Sequence, residues 1–202
     1  MQTKANNSVL AFIDLRSPYS YLALGPALEF EAQSGVTIEW WPFLTDFRSA
    51  YGGEVEERTV RDVLKLKYLY MDCRRLAASQ GLTIKSTTKL WDAELVSKAM
   101  LFAKANDRLW EFLNPTLSSF WRREFDMESN DAVEEKLVGA GMTTAGWREY
   151  RDNEADRQLN VTLEWAEELG VFGAPTFVYR GEIFWGGDRL AMLSERVLNR
   201  QK

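Results

Sequence analysis

The sequence predicts an α/β protein in which a strand–helix–strand unit and a strand–strand–helix unit are held apart by a long, purely helical block. Three observations predict it. A continuous apolar run of strand length, Val9 to Asp14, leads directly into a Ser-Pro helix start, and after Gly35 the alternating run Val36 to Pro42 follows. From about Arg58 to Leu169 apolar residues recur at helical spacing with almost no strand signal. Strand signal then returns at Thr176 to Tyr179 and at Ile183 to Trp185, either side of Arg180-Gly181-Glu182.

Taken in order, Val9–Asp14 reads as a buried strand because apolar side chains occupy both of its faces. Ser17 is placed as the N-cap of the next helix and Pro18 as its first residue, since Pro lacks only an N–H that would go unbonded there. That helix runs to about Ser34, is bent by Pro26, and stops at Gly35. Val36–Pro42 is rich in β-formers, and strand, helix and strand in immediate succession imply a parallel pair. After Gly52-Gly53, one face of a first insertion helix carries Val60, Leu64, Tyr68 and Met71 and ends near Gly81. Further helices are marked by Leu95, Ala99, Phe102 and Ala103, by Leu109 to Trp121 with a kink expected at Pro115, and by Val133, Leu137 and Val138. A short one capped at Thr143-Thr144 surrounds Trp147, and a last one carries Leu159, Leu163 and Ala166. The segment Gly186-Gly187-Asp188 opens a terminal helix with Asp188 as its N-cap. This order is that of a thioredoxin-like fold, residues 1–57 with 170–202, interrupted by a large all-helical insertion, residues 58–169.

Composition restricts the chemistry. A chain of 202 residues buries roughly 70% of its unfolded surface and needs no covalent staples. The net charge of −5 argues against nucleic acid as a partner. The chain has no histidine, which removes Ser-His-Asp triads, Cys-His pairs and the common zinc sites; no metal is expected. Its single cysteine, Cys73, rules out an internal disulfide and dithiol cycling. Arg74-Arg75 beside it would lower a thiol pKa, although a lone cysteine more often acts as a small buried hydrophobe. No basic stretch followed by a long apolar one opens the sequence, and no segment approaches the ~18 apolar residues of a membrane span. A cytoplasmic protein is the expectation.

Two segments then carry a family resemblance: F-x-D-x-x-S-P-Y-S-Y-L at Phe12 to Leu22, and G-V-F-G-A-P-T-F at Gly170 to Phe177, continued by F-W-G-G-D-R-L-x-M-L from Phe184. Together, flanking a helical block, they resemble the 2-hydroxychromene-2-carboxylate isomerases, which are related to kappa-class glutathione transferases within the DsbA-like superfamily. The resemblance covers essentially the whole chain. It implies glutathione as cofactor, a small aromatic substrate and a homodimer. It places Ser17 as the catalytic serine that contacts the glutathione sulfur, and Pro175 as the cis-proline of the fold. Ala174 would offer its backbone to the cysteinyl part, Gly187 and Asp188 would hold the γ-glutamyl end, and Lys65 would lie near the ligand. The family often has an asparagine several residues before that lysine; the stretch 54–59 has none.

The residues support such chemistry on physical grounds. Ser17 and Ser20 stand where a disulfide oxidoreductase of this fold keeps two cysteines, so disulfide exchange is excluded while the anion site at the helix N-terminus remains. A serine hydroxyl and free N–H groups there favour a thiolate brought by another molecule. The same Ser-Pro pair also opens many helices with no chemistry attached. Asp188 could be a cap alone, and Lys65 a solvated side chain. Of the aromatic residues, Tyr19, Trp41, Phe43 and Trp185 are the candidates to line a substrate pocket. The implied reaction interconverts a chromene hemiketal and an open-chain benzylidenepyruvate. A kappa-like transferase, or a non-catalytic binding protein of the same fold, are the alternatives.

Overall fold

A computed structural model describes residues 8–46 and 57–198. The Gly52-Gly53 boundary and positions 54–56 of the asparagine-free stretch lie outside the described residues. Four strands, β1 (Ser8–Ile13), β2 (Thr37–Pro42), β3 (Thr176–Tyr179) and β4 (Glu182–Trp185), form one sheet in the order β2-β1-β3-β4. β1 pairs with β2 in parallel and with β3 antiparallel, and β3 pairs antiparallel with β4. Arg180 and Gly181 both have positive φ, 52° and 80°, as a two-residue hairpin of type I′ demands.

The apolar run of β1 is explained by its position inside the sheet. Val9, Ala11 and Ile13 join the large core, whereas Leu10 and Phe12 join a smaller core with Phe43, Val171 and Val178 on the opposite face. Helix α1 (Pro18–Ser34) starts with Ser17 as N-cap and ends at Gly35 in the left-handed region, with φ 67°. Pro26 lies within it.

The insertion contributes α2 (Val60–Ser79), α3 (Glu94–Ala105), α4 (Leu109–Trp121), α5 (Asn130–Gly139), α6 (Thr144–Asn153) and α7 (Ala155–Glu168). Thr143 caps α6, accepting from the Gly146 N–H at 3.2 Å, and Pro115 lies inside α4. The large core continues from α1 through β2 into this block. Trp40 of β2 meets Trp110 edge-on at 5.4 Å, and Trp121 and Trp147 are fully buried. On the other face, Trp165 of α7 packs against Phe12 and Trp41 at 5.4 and 5.2 Å. Among the described residues, no helix is long and apolar enough to cross a membrane.

Two expectations need correction. In α2, Val60, Leu64, Tyr68 and Met71 do share a face, but that face is exposed, Val60 at 78%. The helix buries only Cys73 and Ala77, two small residues whose size lets it approach the core. Asp188 does not cap the terminal helix α8 (Leu190–Leu198). It lies inside a short 3₁₀ turn, Gly187–Arg189, and its carboxylate pairs with Arg189.

Lys104 of α3 lies against β2, donating to the Trp40 carbonyl at 2.9 Å with its ammonium 3.6 Å from the centre of the Trp41 ring. Burial lowers its pKa from the ordinary 10.5 to about 8, against a weaker upward pull from Glu39. Below about pH 8 both folded and unfolded chains carry the ammonium, and burial is a standing cost. Between about 8 and 10.5 the folded chain has released a proton that the unfolded chain still holds, so stability rises with pH there. The difference in unfolding free energy between wild type and Lys104→Met is therefore expected to change between pH 7.5 and pH 10, wild type gaining. Urea titrations at the two pH values check this, and a constant difference would contradict it.

Candidate functional site

Chain direction places a charged pair and a helix N-terminus at the end of β1. Asp14 is fully buried immediately after the strand. The Arg16 guanidinium clasps it, Nε to Oδ1 at 3.0 Å and Nη2 to Oδ2 at 2.8 Å. Two backbone N–H groups complete the carboxylate's partners: Arg16 donates to Oδ1 at 2.8 Å and Thr45 to Oδ2 at 2.7 Å. The same guanidinium donates to the carbonyls of Trp91 (3.1 Å) and Thr45 (3.0 Å), tying the insertion to the sheet. Burial of a carboxylate requires this degree of pairing.

One residue further, the Ser17 Oγ accepts from the Ser20 N–H at 3.3 Å and donates to the Ala174 carbonyl at 3.4 Å. The Ala174–Pro175 bond is cis. Ser20 is not exposed as a second reactive group. It is fully buried, and its Oγ accepts from the Asp14 N–H at 3.2 Å.

Two cavities flank this point. The larger, about 750 Å³, is lined by Ser17 and Arg16 and walled by Leu69, Trp91, Phe172 and Trp185. The smaller, about 540 Å³, contains Pro175, Gly187, Asp188 and Asp72. Tyr19, Ala174 and Trp185 line both and form the partition between them. At the rim, Phe172 and Trp185 meet at 5.0 Å while remaining 64% and 55% exposed, an open aromatic pair of the kind that receives a ring. Close packing shapes the smaller cavity: a Cβ on Gly187 would come within 3.2 Å of the Ala23 Cβ. Gly186 has φ 103°, and a Cβ there would lie 2.4 Å from the Asp188 carboxylate.

Ser17, Tyr19, Ala174, Pro175, Trp185, Gly187 and Asp188 are thus brought together around one cleft. Three other residues are not. Lys65 lines neither cavity; its side chain is 60% exposed, with the ammonium 3.9 Å from Asp62. Its neighbours Leu66 and Leu69 do line the larger cavity, whereas the Lys65 ammonium is directed to Asp62, one turn back on the same helix. Trp41 and Phe43 join the smaller core across the sheet, with Trp41 held between Lys104 and Trp165.

Tyr19 donates to the Asp72 carboxylate at 2.9 Å, and burial followed by that bond pushes its pKa far upward, so it remains a neutral donor. Behind it Cys73 is fully buried. Burial raises its pKa to about 12, outweighing the Tyr19 hydrogen bond and the modest help of Arg74. At neutral pH the thiol is held in its protonated form. Sequence reasoning missed Arg16, Asp14, Trp91, Phe172 and Arg58. An acid ending an apolar strand two residues before an arginine was a visible signal for the first two. Phe172 lies inside the segment Gly170 to Phe177, and nothing local marked Trp91 and Arg58.

Comparison with known proteins agrees with this architecture. A family model described as a DSBA-like thioredoxin domain matches residues 8–198. A 2-hydroxychromene-2-carboxylate isomerase of Pseudomonas putida is 28% identical over 192 residues, covering 92% of each chain. One from Sphingobium xenophagum is 24% identical over 193 residues, covering 93% of this chain and 96% of that protein. A solved 2-hydroxychromene-2-carboxylate isomerase structure superposes with a TM-score of 0.79 at 24% identity, over 96% of this chain and 95% of that one.

Proposed function

The chain belongs to the DSBA-like thioredoxin domain family, and from that premise we propose that it is a glutathione-dependent isomerase of the 2-hydroxychromene-2-carboxylate type. The observation that carries this reading is the Ser17 hydroxyl at the start of α1, held 3.4 Å from the Ala174 carbonyl where two cavities meet. Its distant relatives named as such isomerases, over nearly the full length, support it.

The residues present suit glutathione. Ala174, Pro175, Gly187 and Asp188 offer backbone groups and one carboxylate in the smaller cavity, the side on which a γ-glutamyl end with its ammonium is held. When bound, glutathione supplies a thiol close to its thiolate form. Everything else falls to the chain. The free N–H groups of the first turn of α1 and the Ser17 hydroxyl stabilise negative charge at that point. Trp91, Phe172 and Trp185 receive an aromatic substrate and exclude water from one side of it. The Tyr19 hydroxyl, fixed by Asp72, is a neutral donor in the partition. Lys65 has no part in this reading.

Product analysis tests the proposal and separates it from a transferase. Incubated with glutathione and a 2-hydroxychromene-2-carboxylate, the protein is expected to yield the open-chain isomer with glutathione fully recovered. An adduct with glutathione consumed would assign a kappa-like transferase instead. No turnover with no glutathione binding by calorimetry would leave a binding protein.

A further inference from the structure

A third cavity, about 380 Å³, opens beside the larger one and shares Arg58, Leu66 and Tyr70 with it. Three cations line it: Arg58, and Lys67 with Arg74 on one face of α2, seven residues and so two turns apart. We propose that this cavity is an anion-binding subsite that seats a second acidic group of the aromatic substrate, so that the preferred acceptors are aromatic dicarboxylates. The inference rests on the proposed function only in placing the aromatic ring in the larger cavity.

The charges argue for it. The chain is acidic, with 30 Asp and Glu against 25 Lys and Arg, and most of the ion pairs among the described residues join chain neighbours such as Arg108 with Glu111 or Arg157 with Glu154. Yet, among the described residues, Arg58, Lys67 and Arg74 make no ion pair and no acid lines their cavity. The acids of α2 are engaged elsewhere. Asp62 closes the capping box with Thr59 and pairs with Lys65, and Asp72 accepts from Tyr19. Arg58 Nε is buried with no hydrogen-bond partner, a desolvated donor that an acceptor in the cavity would satisfy. Among the described residues, the hydrogen bond of Arg74 goes to the neutral Ser86 Oγ, at 3.4 Å. Like charges gathered at one concavity repel one another until an anion neutralises them. One carboxylate answers Arg58 at the junction of the two cavities. Lys67 and Arg74 are left for a second, and a guanidinium fork suits that geometry.

Calorimetric titration at low salt with naphthalene-2,6-dicarboxylate and with 2-naphthoate tests this. The dicarboxylate is expected to bind wild type about tenfold tighter or more, with a preference that shrinks as salt is added. In Lys67→Gln/Arg74→Gln, both exposed positions, the preference is expected to fall within about twofold. Equal affinities in wild type, or a preference that survives in the double variant, would overturn the proposal. So would a double variant that loses glutathione affinity and keeps the preference, because the cations would then serve the peptide thiol's own carboxylates. A wild type that binds no glutathione but prefers the dicarboxylate would sink the proposed function and leave the subsite standing.

Discussion

Ser17→Ala is expected to lower kcat for isomerisation by about 10²–10³-fold while the protein stays folded. The reason is that the hydroxyl has two separable jobs. As N-cap it accepts the Ser20 N–H at 3.3 Å, and its loss costs about 1 kcal/mol of stability. As a donor it lies where negative charge is to be stabilised, and a preorganised donor at such a point is worth far more to the reaction than to the fold. Ser17→Gly keeps the two apart, since glycine replaces a serine cap at a cost of only a few tenths of a kcal/mol. Both variants should lose turnover alike, whereas only the alanine variant should lose measurable stability. Turnover of either variant within about threefold of wild type would remove Ser17 from the chemistry.

The largest effect on stability is expected at Arg16. Replacing it with alanine leaves the fully buried Asp14 carboxylate with two backbone N–H donors and no counter-charge. The cost of an uncompensated buried charge is about 3–5 kcal/mol, which for a chain of this size corresponds to a fall in Tm of about 6–20 °C. The Arg16 side chain is 17% exposed, so the lower half of that range applies. Adding Asp14→Asn to Arg16→Ala should recover much of the loss, because the charge is then gone. Calorimetric melting of the single and double variants checks both statements. A single variant within 1 kcal/mol of wild type would mean that solvent reaches Asp14 freely.

Much of the fold could be read from local chemistry. Ser17-Pro18 and Gly35 bounded α1, and Arg180-Gly181 marked the hairpin, because caps and tight turns impose backbone needs that only a few residue types meet. The central position of β1 followed from its unbroken apolar run. What failed were inferences from periodicity to partner. Val60, Leu64, Tyr68 and Met71 were correctly placed on one face, but spacing cannot say whether a face meets the core or solvent. Lys65 lies outside both cavities although Leu69, one turn on and on the same face, lines one of them; its long side chain extends to Asp62, which helix spacing alone does not foretell. Trp41 and Phe43 were near the cleft in sequence and across the sheet in space. The partition formed by Tyr19, Ala174 and Trp185 was legible only through the two family segments, since Tyr19 belongs to the first and Ala174 and Trp185 to the second, far along the chain.

That distance has a bearing on synthesis. Ser17 and Ala174 are separated by 157 positions, and β3, which brings Ala174 to its place, pairs with β1 only after the whole helical block has been made. A ribosome adding about 5–20 residues per second produces that block over roughly six to twenty seconds, during which β1 has β2 on one edge and nothing yet on the other. An unpaired edge on a wholly apolar strand is a template for wrong pairing. The helices that follow, with Trp121 and Trp147 at their centre, can bury their own apolar faces early and hold the nascent chain compact until its last strands emerge. The cleft beside Ser17 is closed only once β3 and β4 have been made and have joined the sheet beside β1.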